Sequence, residues 1–135
     1  MKFVPEHFGL PAKDPVALKD WYVKMLGAEM VFEISKAPPA FFVGFGPGLM
    51  LEIYQAGFYS GETSKHELAG WRHLALRVES IEATRAEMES RGVQFMDPVK
   101  PAAGGGRVLF FKDAEGNLLH LVERPKDSVF SKMSL

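Results

Sequence analysis

The chain repeats itself, and the repeat limits the fold more than any other feature of the sequence. Residues 5–14 (PEHFGLPAKD) are answered by residues 70–80 (GWRHLALRVES), so that His73 corresponds to His7. Seven residues after each histidine stands a residue suited to capping a helix, Asp14 in the first copy and Ser80 in the second. A helical pattern follows each cap and runs into Gly27 or Gly92, twenty and nineteen residues after the respective histidine. A tandem duplication accounts for this register. A chain of 135 residues has room for one ordinary domain built from two such halves.

Within each copy the periodicity spells strand, helix and three strands. Residues 2–10 alternate, with Phe3, His7 and Gly9 on one face and Val4, Phe8 and Leu10 on the other. Asp14 and Pro15 open a helix that runs to Leu26, with Leu18, Trp21, Tyr22, Met25 and Leu26 on its apolar stripe. Residues 28–34, 40–45 and 49–55 read as an antiparallel meander broken by the turns APPA and GPG. In the second copy, residues 71–79 place Leu74, Leu76 and Val78 toward a core and Trp71, His73, Ala75 and Arg77 opposite. A helix from Ser80 to about residue 91, with Ile81, Thr84 and Met88 inward, leads to strands at 93–95, 107–112 and 118–123.

Two stretches lack a pattern. Residues 56–70 form either a linker between the halves or a lid, with His66 exposed in it. Gly104 to Gly106 lie in the flexible stretch PVKPAAGGG; no helix start or Lys-Ser/Thr signature follows, so a mobile loop is expected rather than a phosphate cradle. The expectation is a single α+β domain over 1–135, with module 1 at about 2–56, a linker at 57–69, module 2 at about 70–124 and a polar tail at 125–135.

The last strand of each copy carries one polar group in an apolar setting, Glu52 in LMLEIY and His120 in NLLHLV, and the two positions correspond. Pseudo-twofold symmetry between the copies would bring His7, Glu52, His73 and His120 to one surface. A single strand histidine is more often a hydrogen-bonded structural residue. Four polar side chains at repeat-equivalent positions point instead to a divalent ion held by imidazole nitrogen and carboxylate oxygen. Glu52, between Met50 and Tyr54 on an inward face, would be costly without a cation or donor. Arg77, sharing a face with His73, is a candidate to bind a substrate anion. Trp71 and Tyr54, with Phe41, Phe45 and Phe110, are candidates to line an apolar pocket or simply to fill the core.

Composition narrows the partners. The chain has no cysteine, which removes disulfides, thiolate ligands and a Cys nucleophile and suits a reducing compartment. A net charge of −1 with basic residues dispersed argues against nucleic acid. No apolar run approaches the length of a membrane span and no cleavable leader is evident, so no membrane partner and a cytoplasmic location are expected.

The sequence resembles the vicinal oxygen chelate superfamily, which includes glyoxalase I, bleomycin-resistance proteins, epimerases and extradiol dioxygenases. The resemblance covers about residues 5–124 through HFGLPAKDP, WYVKMLGAE, LMLEIY, WRHLALRVESIEATRAEMESRGVQF and FFKDAEGNLLHLVE. It implies two βαβββ modules in tandem, forming a curled mixed sheet around a central site, the glyoxalase-like fold. It also implies one divalent metal (Zn, Ni, Co, Mn or Fe) held from the first and last strand of each module, where His7, Glu52, His73 and His120 stand. A small-molecule substrate is implied too, and a homodimer, since in relatives the modules often pair across chains.

The sequence departs from the family pattern at two places. Glyoxalase-type members carry Glu as ligand and base where this chain has His120, and the iron dioxygenases also take a Glu from the last strand. Glyoxalase I has an Arg soon after its first metal histidine, for the glutathione carboxylate, where this chain has Pro11. The expected function is a metal-dependent lyase or isomerase working through a metal-stabilised enediolate, with Glu52 or His120 moving the proton. The alternatives are an extradiol-type dioxygenase and a non-catalytic binding or resistance protein of the same fold.

Overall fold

The computed structural model describes residues 1–132 and divides into two compact units, Met1–Ser60 and a second from Gly61 onward. The first unit contains β1 (His7–Ala12), α1 (Pro15–Leu26), β2 (Glu29–Ile34), β3 (Ala40–Gly44) and β4 (Met50–Gln55). The second contains β5 (His73–Arg77), α2 (Ile81–Ser90), β6 (Phe95–Pro101), β7 (Arg107–Lys112) and β8 (Leu118–Glu123), followed by a 3₁₀ turn over Val129–Lys132. The sheet orders are β1-β4-β3-β2 and β5-β8-β7-β6, the same permutation twice. In each sheet the first and last strands pair in parallel and the other pairs are antiparallel. This is the α+β, tandem βαβββ arrangement expected from the repeat.

Local chemistry explains the helix ends. Asp14 sits in extended backbone and its side chain accepts from the Ala17 amide at 3.0 Å, while Pro15 at the first turn has no N–H to leave unpaired. Gly27 closes α1 at φ 69°, a left-handed conformation that suits a residue without a Cβ. Ser80 caps α2 in the same way, accepting from the Ala83 amide at 3.2 Å. Strand alternation then sorts the side chains. Phe41, Val43, Leu51 and Ile53 are buried on the face that packs against Leu18 and Tyr22 of α1, and Leu109, Phe111, Leu119 and Leu121 are buried with Ile81 and Met88 of α2. The opposite face of each sheet is left for His7, Glu52, His73 and His120.

Several boundaries differ from expectation. β1 begins at His7 rather than residue 2, because its partner β4 begins at Met50, opposite His7; Phe3 and Val4 are exposed. β5 begins at His73 because β8 begins opposite it at Leu118, so Trp71 precedes the strand and is 84% exposed. The expected three-residue strand at 93–95 is β6, displaced to Phe95–Pro101 through a stretch read as flexible. Its two prolines are tolerated because β6 is the outer strand of its sheet and, among the described residues, pairs with β7 alone, with a register shift between Met96 and Lys100. On α2, Thr84 is half-buried rather than inward. The stretch expected as a polar tail turns back at Phe130, whose ring lies 3.9 Å from the Arg124 guanidinium; the last three residues of that tail lie outside the described residues.

Candidate functional site

The predicted residues come together in pairs. In the first unit, parallel pairing places Gly9 beside Glu52, and His7 Nε2 lies 3.3 Å from Glu52 Oε2. Both side chains are partly open, 34% and 27% exposed. The Phe42 ring stands edge-on to the His7 imidazole, with centroids 5.2 Å apart. Tyr54 lies over Gly9: a Cβ there would come within 3.2 Å of the phenol, so the glycine makes room for the ring.

In the second unit, His73 and His120 face each other from β5 and β8 with ring centroids 4.8 Å apart. Phe110 of β7 flanks both, at 6.0 Å from His73 and 4.8 Å from His120. Phe42 and Phe110 hold equivalent strand positions, paired with Glu52 and His120 respectively, so each pair has the same aromatic neighbour. His120 is 7% exposed.

The ring nitrogens are also partnered in parallel. His7 Nδ1 lies 2.8 Å from the Glu6 carboxylate, and His120 Nδ1 lies 3.2 Å from the Leu121 carbonyl. A carbonyl only accepts, so Nδ1 of His120 carries the proton and donates, leaving its Nε2 with a lone pair in the neutral ring, whereas His7 has an accepting carboxylate at each nitrogen, Glu6 at Nδ1 and Glu52 at Nε2. His73 Nδ1 is engaged as well, 3.1 Å from Nε2 of His66. Burial pushes the pKa of His73 below its ordinary value, with the neighbouring His66 adding to the effect. Burial does the same to His120, opposed by the Leu121 carbonyl and assisted by His73, Arg124 and His66. Both rings are therefore held in the neutral form that can act as a ligand.

The remaining predicted residues take other positions. Tyr54 shares the face of Glu52. Arg77 shares the face of His73, and its guanidinium donates to the Phe130 carbonyl at 2.7 Å. Trp71 lies exposed before β5. Gly104 to Gly106, all at positive φ, receive the chain turning back: Arg124 donates to the Gly105 carbonyl at 2.7 Å, and the Phe130 ring stands over Gly104.

Sequence reasoning missed Glu6 and His66 as partners of the candidate ligands. Glu6 was legible only as a neighbour of His7. His66 has no counterpart in the first copy, so the repeat could not single it out. It is nonetheless one of only four histidines in the chain, and all four lie in these two clusters.

Among the described residues, no set of three or more His, Asp or Glu side chains forms a ready-made metal cluster. His7 and Glu52 offer a nitrogen and an oxygen donor, and His73 and His120 offer nitrogen donors, all suited to a divalent ion of borderline hardness, with Nδ1 partnered as in histidines that bind metal through Nε2. The residues present therefore fit the group that the resemblance implies. No helix among the described residues is long and apolar enough to cross a membrane.

The uncharacterized protein YaeR of Escherichia coli strain K12 is 28% identical over 125 residues, which span 87% of this chain and 94% of YaeR. The solved structure of SMU.1112c matches with a TM-score of 0.74 at 27% identity, covering 91% of this chain and 99% of that one. TnmS3, an antibiotic binding protein from Streptomyces sp. CB03234, shares the fold with a TM-score of 0.68 at 24% identity, over 93% and 98% of the two chains. A family model matches residues 5–121, nearly the whole of both modules, and the chain belongs to the Glyoxalase/Bleomycin resistance protein/Dioxygenase superfamily.

Proposed function

We propose that the chain is a divalent-metal-dependent lyase or isomerase of the glyoxalase kind, acting on a small oxygenated substrate, with His7, Glu52, His73 and His120 as its ligand set. The two units serve as halves of one glyoxalase-like domain. The observation that carries this reading is the partnering of Nδ1 in His7 and His120, since metal-binding imidazoles regularly give their second nitrogen to a carboxylate or a carbonyl. A bound Zn, Ni, Co, Mn or Fe ion would supply Lewis acidity at neighbouring substrate oxygens.

The chain's own groups do the rest. Glu52 takes the proton at a carboxylate oxygen, because His120, with Nδ1 donating to the Leu121 carbonyl and Nε2 as the nitrogen that would hold the ion, has no nitrogen left to accept it. His120 orients through Leu121 and stays a ligand. Phe42, edge-on to His7, and Tyr54, over Gly9, give the face on which Glu52 lies an aromatic border. Having no cysteine, the chain suits a reducing compartment, and the reading places it in the cytoplasm as a homodimer.

The test is elemental analysis of protein purified without added metal. About one equivalent, lost in His73→Ala, is expected; less than about a tenth of an equivalent, unchanged by that substitution, would overturn the reading. Oxygen uptake with catechols separates this reaction from an extradiol-type dioxygenase, which alone consumes oxygen.

A second reading, non-catalytic capture of a small apolar molecule, is favoured by one observation. Val31 and Phe32 of β2 are 55% and 61% exposed, and the Phe32 ring lies 6.3 Å from that of Phe42 on the face carrying Glu52. TnmS3 gives a binding protein of this fold as precedent. Ligand capture by metal-free protein, with no turnover, would favour that reading.

A further inference from the structure

Of the three histidine Nδ1 atoms in the candidate ligand set, two are held by groups that cannot change role. Glu6 adjoins His7 in the chain, and the Leu121 carbonyl is part of β8. His73 differs, because its Nδ1 meets another imidazole brought in from a segment, residues 56–72, with no helix or strand.

That segment is tied where it matters. Thr63 donates to the Glu115 carbonyl at 3.4 Å, Arg72 donates to the Lys65 carbonyl at 3.3 Å, and amide-to-carbonyl bonds at Lys65–Glu62 and Leu68–Lys65 shape the turns on either side of His66. The His66 ring then stands 5.1 Å from His73 and edge-on to Phe110 at 5.8 Å. Every one of these contacts lies within the second unit.

One proton lies between His66 Nε2 and His73 Nδ1, and either ring could carry it. At the equivalent residue of the first unit, His7, the same nitrogen meets an accepting carboxylate. If His73 donates, its Nε2 is left with a lone pair. If His66 donates, the His73 proton sits on Nε2 and blocks that nitrogen as a ligand.

We propose that His66 is a positioning residue: it accepts the His73 Nδ1 proton, fixing the tautomer and ring orientation in which His73 Nε2 binds the divalent ion. The proposal rests on the metal-dependent reading above. It assigns a task to the segment between the modules, which places an acceptor that the strand itself does not provide. A phenylalanine at this position keeps a ring against Phe110 and removes the acceptor. A glutamine keeps an acceptor oxygen at comparable reach.

The experiment uses the full chain freed of metal, titrated with Co²⁺ alone against a competing chelator. The cobalt absorption spectrum is recorded, and the tautomer of His73 in the metal-free protein is read by nitrogen NMR. Wild type is expected to bind, His66→Phe to bind about 10–100-fold more weakly, and His66→Gln to stay within about threefold of wild type with an unchanged spectrum. His73 should carry its proton on Nδ1 in the wild type and lose that preference in His66→Phe.

Equal cobalt affinity in wild type and His66→Phe would overturn the proposal while leaving the metal reading intact. So would a wild-type His73 protonated on Nε2. If His66→Gln falls as far as His66→Phe and the spectrum changes, His66 is itself a ligand and the positioning role is wrong. If wild type takes up no cobalt, the functional reading fails and the proposal fails with it.

Discussion

The two units share one topology and fasten it by different chemistry. In the first, α1 is held to its sheet mainly by apolar burial of Leu18 and Tyr22. In the second, the shorter α2 is also laced by charge: Arg107 reaches both Glu82 and Glu123, Arg85 makes a two-bonded contact with Asp97, and Glu123 accepts from the Ile81 amide at 2.9 Å. The candidate ligands follow the same division, since a neighbouring carboxylate orients His7 while a residue from a separate segment meets His73. The strand order that faces a first-strand residue with a last-strand residue is common to both copies. The means of holding that arrangement are not.

The largest expected contrast is at glycine. In the second unit Gly106 has φ +96°, and a Cβ there would meet the Glu123 carbonyl oxygen at 1.9 Å. Gly106→Ala should cost about 3 kcal/mol or more, because backbone must move. In the first unit a Cβ on Gly44 would meet the Val31 and Met50 side chains at 3.5 and 3.6 Å and the Gly46 carbonyl oxygen at 3.9 Å, all ordinary van der Waals contact. Gly44→Ala should be neutral or stabilise by up to about 1 kcal/mol, through the less flexible unfolded chain. Urea unfolding of both variants checks this, and equal losses would erase the contrast.

Next in size are the caps. Asp14→Ala should cost about 1–2 kcal/mol and Ser80→Ala about 0.5–1 kcal/mol, since α2 keeps the Glu123 carboxylate at its first amide after the serine is gone. A larger loss at Ser80 than at Asp14 would mean that the Glu123 contact carries little.

The smallest effect is the dependence on acid. Arg107 holds Glu82 below the usual carboxylate range, the Ile81 amide and then Arg107 do so for Glu123, and Arg85 does so for Asp97. Carboxylates with lowered folded pKa add stability above their unfolded pKa, and that contribution is lost as pH falls through the folded values. Glu82 and Asp97 are solvent-exposed and Glu123 is only part-buried, so the gain is slight. Arg107→Gln should flatten the acid side of a plot of urea midpoint against pH below about pH 5. An unchanged acid side would remove charge from the account of how α2 is fastened.

Much of this was legible in the sequence where a local pattern carries the information. Asp14, Pro15 and Gly27 mark α1 because capping and the left-handed turn are requirements of single residues. The pairs His7 with Glu52 and His73 with His120 were legible because duplication turns one odd residue into two. β6 was not, since Pro98 and Pro101 argue against a strand and only the free outer side of the sheet makes them acceptable. The start of β5 and the exposure of Trp71 depend on where β8 begins, at Leu118, forty-five residues beyond His73 in sequence. His66 was read as exposed, and it is; its approach to His73 depends on the turns around Lys65, which leave no periodic trace.

The strand order has one more consequence, and it concerns time. β4 and β8 have a hydrogen-bonded neighbour on each side within their sheets, while β1 and β5 have one. Glu52 and His120 therefore stand on strands whose amides should be slow to exchange with solvent, and His7 and His73 on strands that should open sooner. Each pair joins a slow residue to a fast one, so exchange should begin at the histidine of the first strand and reach the last strand afterwards.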